Sequence, residues 1–193
     1  MTAILQAPPT LQAAHRLFSA DEYEQMIEAG ILKEDERVEL IKGEIRPMSP
    51  IGDRHAACVK RLNAFLSRQI GSKLIVGVQD PVRLSDDSEP QPDISVLRYR
   101  DDFYAGAQPR SRDVLLVVEV SDSSLGFDRE VKLPSYAAAG IAEAWLVDLN
   151  HAVVERHTRP MNGRYAEVIT LQHGETLQSP MLDLVVAVDD ILG

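Results

Sequence analysis

Cysteine is nearly absent. Cys58 is the only one among 193 residues, so no internal disulfide can form, which excludes a stapled secreted fold and fits a reducing cytoplasm. Aromatic residues make up only 5% of the chain, and no run approaches the roughly 18 apolar residues that a bilayer span needs. The opening stretch, Met1 to Pro9, lacks the basic start and long apolar segment of a secretory signal. The expectation is a cytoplasmic protein with no membrane partner. Paired cysteines for zinc are missing, and His151, His157 and His173 are dispersed across strand and loop. There is no phosphate-cradling glycine-rich loop, and no nucleophile elbow surrounds Ser121-Asp122-Ser123-Ser124. Basic charge is in deficit, with 20 Lys+Arg against 30 Asp+Glu, a net charge of −10 and a pI near 4.9. DNA binding draws affinity from counterions released by a basic face. The overall balance therefore weighs against a nucleic-acid partner, although metal-binding carboxylates and an acidic far side would lower the total without touching a local groove.

What is present is ordinary for a globular protein: 45% hydrophobic and 26% charged residues. The length favours one domain, expected over 19–193 after a flexible lead-in over 1–18 that contains Pro8 and Pro9. Ser19 and Glu22 have capping-box spacing, and Gly30 ends the helix they start. Val38 to Arg46 reads as a hairpin turning at Lys42-Gly43. Asp53 is the expected N-cap of a helix to about Ile70, with His55 in its first turn. Strands are expected over 74–84, 92–97, 114–120 and 144–149. A hairpin over 153–171 turns at Asn162-Gly163, and a last strand covers 182–186. Residues 128–139 suggest a helix, interrupted or restarted by Pro134. The alternation implies an α+β or α/β architecture, a mixed curved sheet flanked by helices. Cys58, beside Val59 and Leu62 on a helical face, reads as core.

Glu119 is the anomaly. It lies near the end of Val114-Leu115-Leu116-Val117-Val118-Glu119-Val120, an apolar run suited to a central strand. Burying an unpaired carboxylate there costs several kcal/mol, so an Arg or Lys, a set of donors or a metal must compensate. Asp93, directly after Pro92, raises the same question. Two such carboxylates side by side repel, and a divalent cation removes the conflict. Their hard oxygens suit Mg²⁺ or Mn²⁺, with the backbone carbonyl of Val120 facing the same ion.

Pro92-Asp93 followed by Glu119-Val120-Ser121 is similar to the Pro-Asp…(Asp/Glu)-x-Lys motif. In order along the chain come Glu39-Leu40-Ile41-Lys42-Gly43-Glu44-Ile45, Met48-Ser49-Pro50, His55, Pro92-Asp93, Val118-Glu119-Val120-Ser121, then Asp128, Lys132, Tyr136 and Gly140-Ile141, and finally Glu143-Ala144-Trp145-Leu146-Val147-Asp148. Together these resemble the Uma-type restriction endonuclease family, a branch of the PD-(D/E)XK superfamily, over roughly residues 19–190. The resemblance implies a restriction-endonuclease-like core sheet of four or five strands, with Asp93 and Glu119 as metal ligands. Ser121 departs from the motif lysine, and Lys132 on the following helix matches the position that replaces it. The implied role of Lys132 is to orient or deprotonate the attacking water, or to stabilise developing phosphorane charge. Glu39 is implied to complete the metal shell directly or through water, and His55 to contact a phosphate or hold Glu39.

The implied activity is Mg²⁺- or Mn²⁺-dependent hydrolysis of DNA phosphodiesters by a homodimer or higher homo-oligomer. Arg98, Arg100, Arg110 and Arg112 mark one candidate phosphate-facing loop. Two alternatives stand beside it: an inactive nuclease fold serving as a binding or assembly subunit, and a nuclease acting on RNA or branched DNA. For Glu119, a plain structural ion pair with Arg37 or Lys132 is equally open.

Overall fold

The computed structural model describes residues 15–33 and 35–193; most of the expected lead-in lies outside the described residues. Helix α1 (Ala20–Glu28) begins at the Ser19–Glu22 capping box. The hairpin of β1 (Val38–Ile41) and β2 (Glu44–Pro47) turns at Lys42-Gly43, both with positive φ. In α2 (Asp53–Ile70) the N-cap is Gly52 rather than Asp53. Asp53 instead adds negative charge to the first turn, which favours the helix dipole.

A six-stranded sheet forms the centre, one or two strands more than the resemblance implies. Its order is β3 (Leu74–Val78), β4 (Ile94–Arg98), β5 (Val114–Ser121), β6 (Glu143–Asp148), β7 (Val153–Met161), β8 (Arg164–Gln172). All neighbours are antiparallel except β5 and β6. A parallel pair needs a crossover, supplied by α3 (Leu125–Phe127), a π-helical turn (Asp128–Lys132) and α4 (Leu133–Ala138). Pro134 follows directly on the π turn, two residues after helical Lys132, and with no N–H to donate it marks the point where the π turn gives way to α4. The strand expected over 74–84 stops at Val78 because Gln79 takes φ 56° and Pro81 follows. Residues 176–187 hold a small hairpin of β9 (Thr176–Ser179) and β10 (Leu184–Ala187), then α5 (Val188–Leu192). The last strand was expected; its partner β9 was not.

The sheet is buried on both faces at its centre. On one face Cys58, Val59, Leu62 and Leu66 of α2 pack against Val118, Val120 and Trp145. On the other, Leu133 and Tyr136 pack against Val117, Ala144 and Leu146. Alternation along β5 therefore sends Val118 and Val120 toward α2 and Glu119, like Val117, toward α4. No helix among the described residues is long and apolar enough to cross a membrane.

Candidate active site

The backbone brings Asp93 and Glu119 to the same end of neighbouring strands. Ile94 pairs with Val118 across β4 and β5, so Asp93, immediately before β4, lies level with Glu119. Beside them opens a cavity of about 610 Å³ whose lining includes Glu39, His55, Gln91, Asp93, Glu119, Asp128 and Lys132, with Arg37 and Arg46 among its basic residues. All five side chains singled out in the sequence thus border one cleft.

Glu119 is 2% exposed and fully engaged at one oxygen. Its Oε1 accepts from the Lys132 ammonium at 2.8 Å and from the Tyr136 hydroxyl at 2.5 Å. The π-helical turn sets this up, since one extra residue per turn shifts Lys132 and Tyr136 relative to the sheet. Lys132 Nζ also lies 3.3 Å from Glu39 Oε2 and donates to the Gln91 carbonyl at 3.3 Å, so its three protons have three partners. The Gln91 N–H donates to Glu39 Oε2 at 3.1 Å. Glu39 and Lys132 are thereby tied to the segment that leads into Asp93.

Asp93 is held from three sides. The Val120 N–H donates to Oδ2 at 2.9 Å. Oδ1 accepts from the Gln79 side-chain amide at 3.1 Å and meets His55 Nε2 at 3.0 Å. The role of holding Glu39, implied for His55, falls here to Lys132 and Gln91; His55 holds Asp93. Gln79 does so from a left-handed backbone that a side chain with Cβ rarely adopts. Asp128, in the π turn, accepts from Ser121 Oγ at 2.7 Å and Ser124 Oγ at 2.5 Å.

The charges respond to this packing. Burial raises the Asp93 carboxyl, but the His55 hydrogen bond and charge, with the Val120 and Gln79 donors, outweigh it and hold Asp93 below the usual range. The Asp93 hydrogen bond in turn raises His55 above its ordinary value, against its own burial. Glu119 is pushed well up, first by burial and then by the charges of Asp128, Asp93 and Glu39, with Lys132 opposing. Burial alone would lower Lys132, but Glu119, Glu39 and Asp128 outweigh it and keep the amine protonated.

These residues suit a hard divalent cation. Five carboxylates (Glu39, Asp93, Glu119, Asp122, Asp128) line the cleft against Lys132, Arg37 and Arg46, an excess of negative charge that an ion would relieve. No three His, Cys, Asp or Glu side chains among the described residues form a ready-made shell. Mg²⁺ does not need one: it is commonly held by one or two carboxylates, keeping waters or substrate phosphates in its other positions.

Sequence reasoning placed Tyr136 in the family pattern without giving it a role, and missed Gln79 and Gln91. Spacing does carry the Tyr136 signal, four residues beyond Lys132 and eight beyond Asp128. The arginine loop lies elsewhere than expected. Arg98 ends β4, whose other end adjoins Asp93, so Arg98, Arg100, Arg110 and Arg112 sit at the far end of the strands from the cleft. Arg100 there pairs with Asp102 at 2.6 Å.

Residues 20–189 match the Uma2 family, described as "Putative restriction endonuclease". Among solved structures, the chain is similar to a "putative nuclease belonging to DUF820" from Anabaena variabilis. The two share 16% sequence identity and a TM-score of 0.69, over 91% of this chain and 97% of that one. At that identity the likeness shows the fold. No curated protein matches the chain.

Proposed function

The chain belongs to the Uma2 restriction endonuclease family, and from that premise we propose that it hydrolyses DNA phosphodiesters with Mg²⁺ or Mn²⁺ held by Asp93 and Glu119. The observation that carries the reading is the pairing of two carboxylates at one sheet end with a buried, protonated lysine between Glu119 and Glu39. When bound, the ion would acidify a water and offset the charge of the pentacovalent phosphate. The Val120 carbonyl is the proposed third oxygen. Glu39 would reach the ion directly or through water.

The chain's own groups divide the remaining work. Val120, Gln79 and His55 fix the orientation of Asp93 and keep it ionised. Lys132, held protonated by its carboxylate neighbours and with its three protons already engaged, is suited to stabilise anionic charge rather than to take up a proton. Arg37 and Arg46 in the cleft lining supply positive charge where a phosphate backbone would enter.

The test is purified protein on plasmid DNA with Mg²⁺ or Mn²⁺. The expected outcome is metal-dependent nicking that is lost in Asp93→Ala and Glu119→Ala. Undiminished activity in both variants would refute the assignment and point to a contaminant. A second reading has one observation behind it: Lys132 and Tyr136 already occupy Glu119 Oε1, as in a structural ion pair. Titration calorimetry with Mn²⁺ separates the two, because an inactive binding subunit of this kind takes up no ion. RNA and branched DNA in parallel reactions decide the substrate.

A further inference from the structure

The sheet ends in β8, whose outer edge has no strand beside it among the described residues. The opposite edge, β3, has five residues, one of them Gly77, and lies against α2. β8 has nine residues, and most are exposed. Val168 and Ile169 point to opposite faces yet are 50% and 45% exposed, so neither face of the strand's middle is covered. Edge strands in stable monomers are commonly blunted by Pro, Lys, bulges or short length. β8 contains no Pro, Lys or Gly, and its single acid, Glu167, is already engaged by Arg159 at 2.7 Å.

A row of unpaired N–H and C=O groups at strand spacing is matched by another extended strand. A two-fold axis normal to a sheet leaves every side chain on its own face, so an antiparallel strand can pair with its own copy only in registers centred on a residue. Centring on Val168 pairs all nine residues of β8. Val168 then meets Val168, Tyr165 meets Leu171, Ala166 meets Thr170, Arg164 meets Gln172 and Glu167 meets Ile169. No like charges are opposed, and the Tyr–Leu contact occurs twice. Centring on Glu167 sets two carboxylates face to face, which is destabilising, and centring on Ile169 leaves residues unpaired at the strand start.

We propose that two copies of this chain pair antiparallel through β8, centred on Val168, to make one continuous sheet. The inference is independent of the reaction in the cleft. It also fixes how two clefts relate. Seven strand spacings of about 4.8 Å separate the two β5 strands, roughly 34 Å, and the strands run in opposite directions. The clefts open toward opposite ends of the joined sheet, so each copy would work alone.

The experiment is sedimentation velocity on the full chain up to about 100 µM, within the range of a weak specific dimer. Wild type is expected to show concentration-dependent dimers. Val168→Lys and Val168→Glu, each placing like charges opposite one another, should each weaken the dimer about tenfold or more, and an equimolar mixture of the two should restore it. Circular dichroism should be unchanged, because Val168 is half exposed in the single chain. A wild type that stays monomeric, single variants that dimerise like wild type, or a mixture that fails to restore dimers would each overturn the proposal. An inactive protein with the full dimer pattern would count against the nuclease reading alone.

Discussion

Replacing Lys132 with Met keeps the apolar stem and deletes the ammonium. Its side chain is 4% exposed, with Glu119 and Glu39 each at 3%, so the surface scale of ion-pair energies does not apply. Removing one partner of a buried pair leaves an uncompensated charge and costs about 3–5 kcal/mol. That is a large fraction of the ~5–15 kcal/mol that holds a typical domain folded. For a chain of this size the melting temperature should fall by on the order of 10 °C. The loss should depend on pH. Glu119 already titrates well above its ordinary value, and without the lysine its folded pKa rises further. A carboxyl raised in the folded state contributes stability that is complete below its unfolded pKa and lost as pH rises through the folded one. Melting followed by circular dichroism should therefore separate Lys132→Met from wild type widely at pH 8 and narrowly at pH 5, and millimolar Mg²⁺ should restore part of the difference. A variant that melts with wild type at pH 8 would show that the carboxylates do not depend on this amine, and the reasoning would fail.

Three further perturbations follow from neighbouring contacts. Gln79→Gly relieves a left-handed backbone worth about 1–2 kcal/mol while removing a donor to Asp93. Melting should hold or rise as Mn²⁺ affinity falls about tenfold; unchanged affinity in calorimetry would rule out the positioning role. Tyr136→Phe keeps the ring and deletes the hydroxyl on Glu119, so urea unfolding should show a loss of about 1.5–3 kcal/mol, and no loss would mean the bond is not formed. Glu89, 1% exposed, is pushed up to about 7, first by burial and then by the nearby Glu24 charge, against a Gln108 hydrogen bond. Its stabilising contribution is complete below about 4.5 and lost as pH rises through about 7, so Glu89→Gln should be more stable than wild type at pH 8, by at most about 3 kcal/mol. Parallel melting curves from pH 5 to 8 would contradict it.

Much of the framework is legible locally. The Ser19–Glu22 box and the Lys42-Gly43 and Asn162-Gly163 turns act through neighbouring backbone, so their residues announce them. Glu119 is legible as a carboxylate in an apolar strand, which must find compensation somewhere. Which compensation is a tertiary matter. Lys132 reaches Glu119 through a π turn that no periodicity of 3.6 marks, and the Tyr136 hydroxyl looks like any buried aromatic until the carboxylate beside it is seen. β9 escapes because Thr-Leu-Gln-Ser has one apolar residue and is a strand only through its pairing with β10. The 74–84 strand is overextended because the reversal at Gln79 is fixed by its bonds to Asp93, fourteen residues on.

The lysine inside the cleft has a consequence for how the protein matures. Small metal domains such as zinc fingers stay unfolded until their ion arrives. Here an amine built into the chain already answers the acids, so native shape can form in a cell starved of divalent ions, and chelation should leave the melting temperature within about 2 °C of its starting value. Folding of the chain then does not wait on an ion.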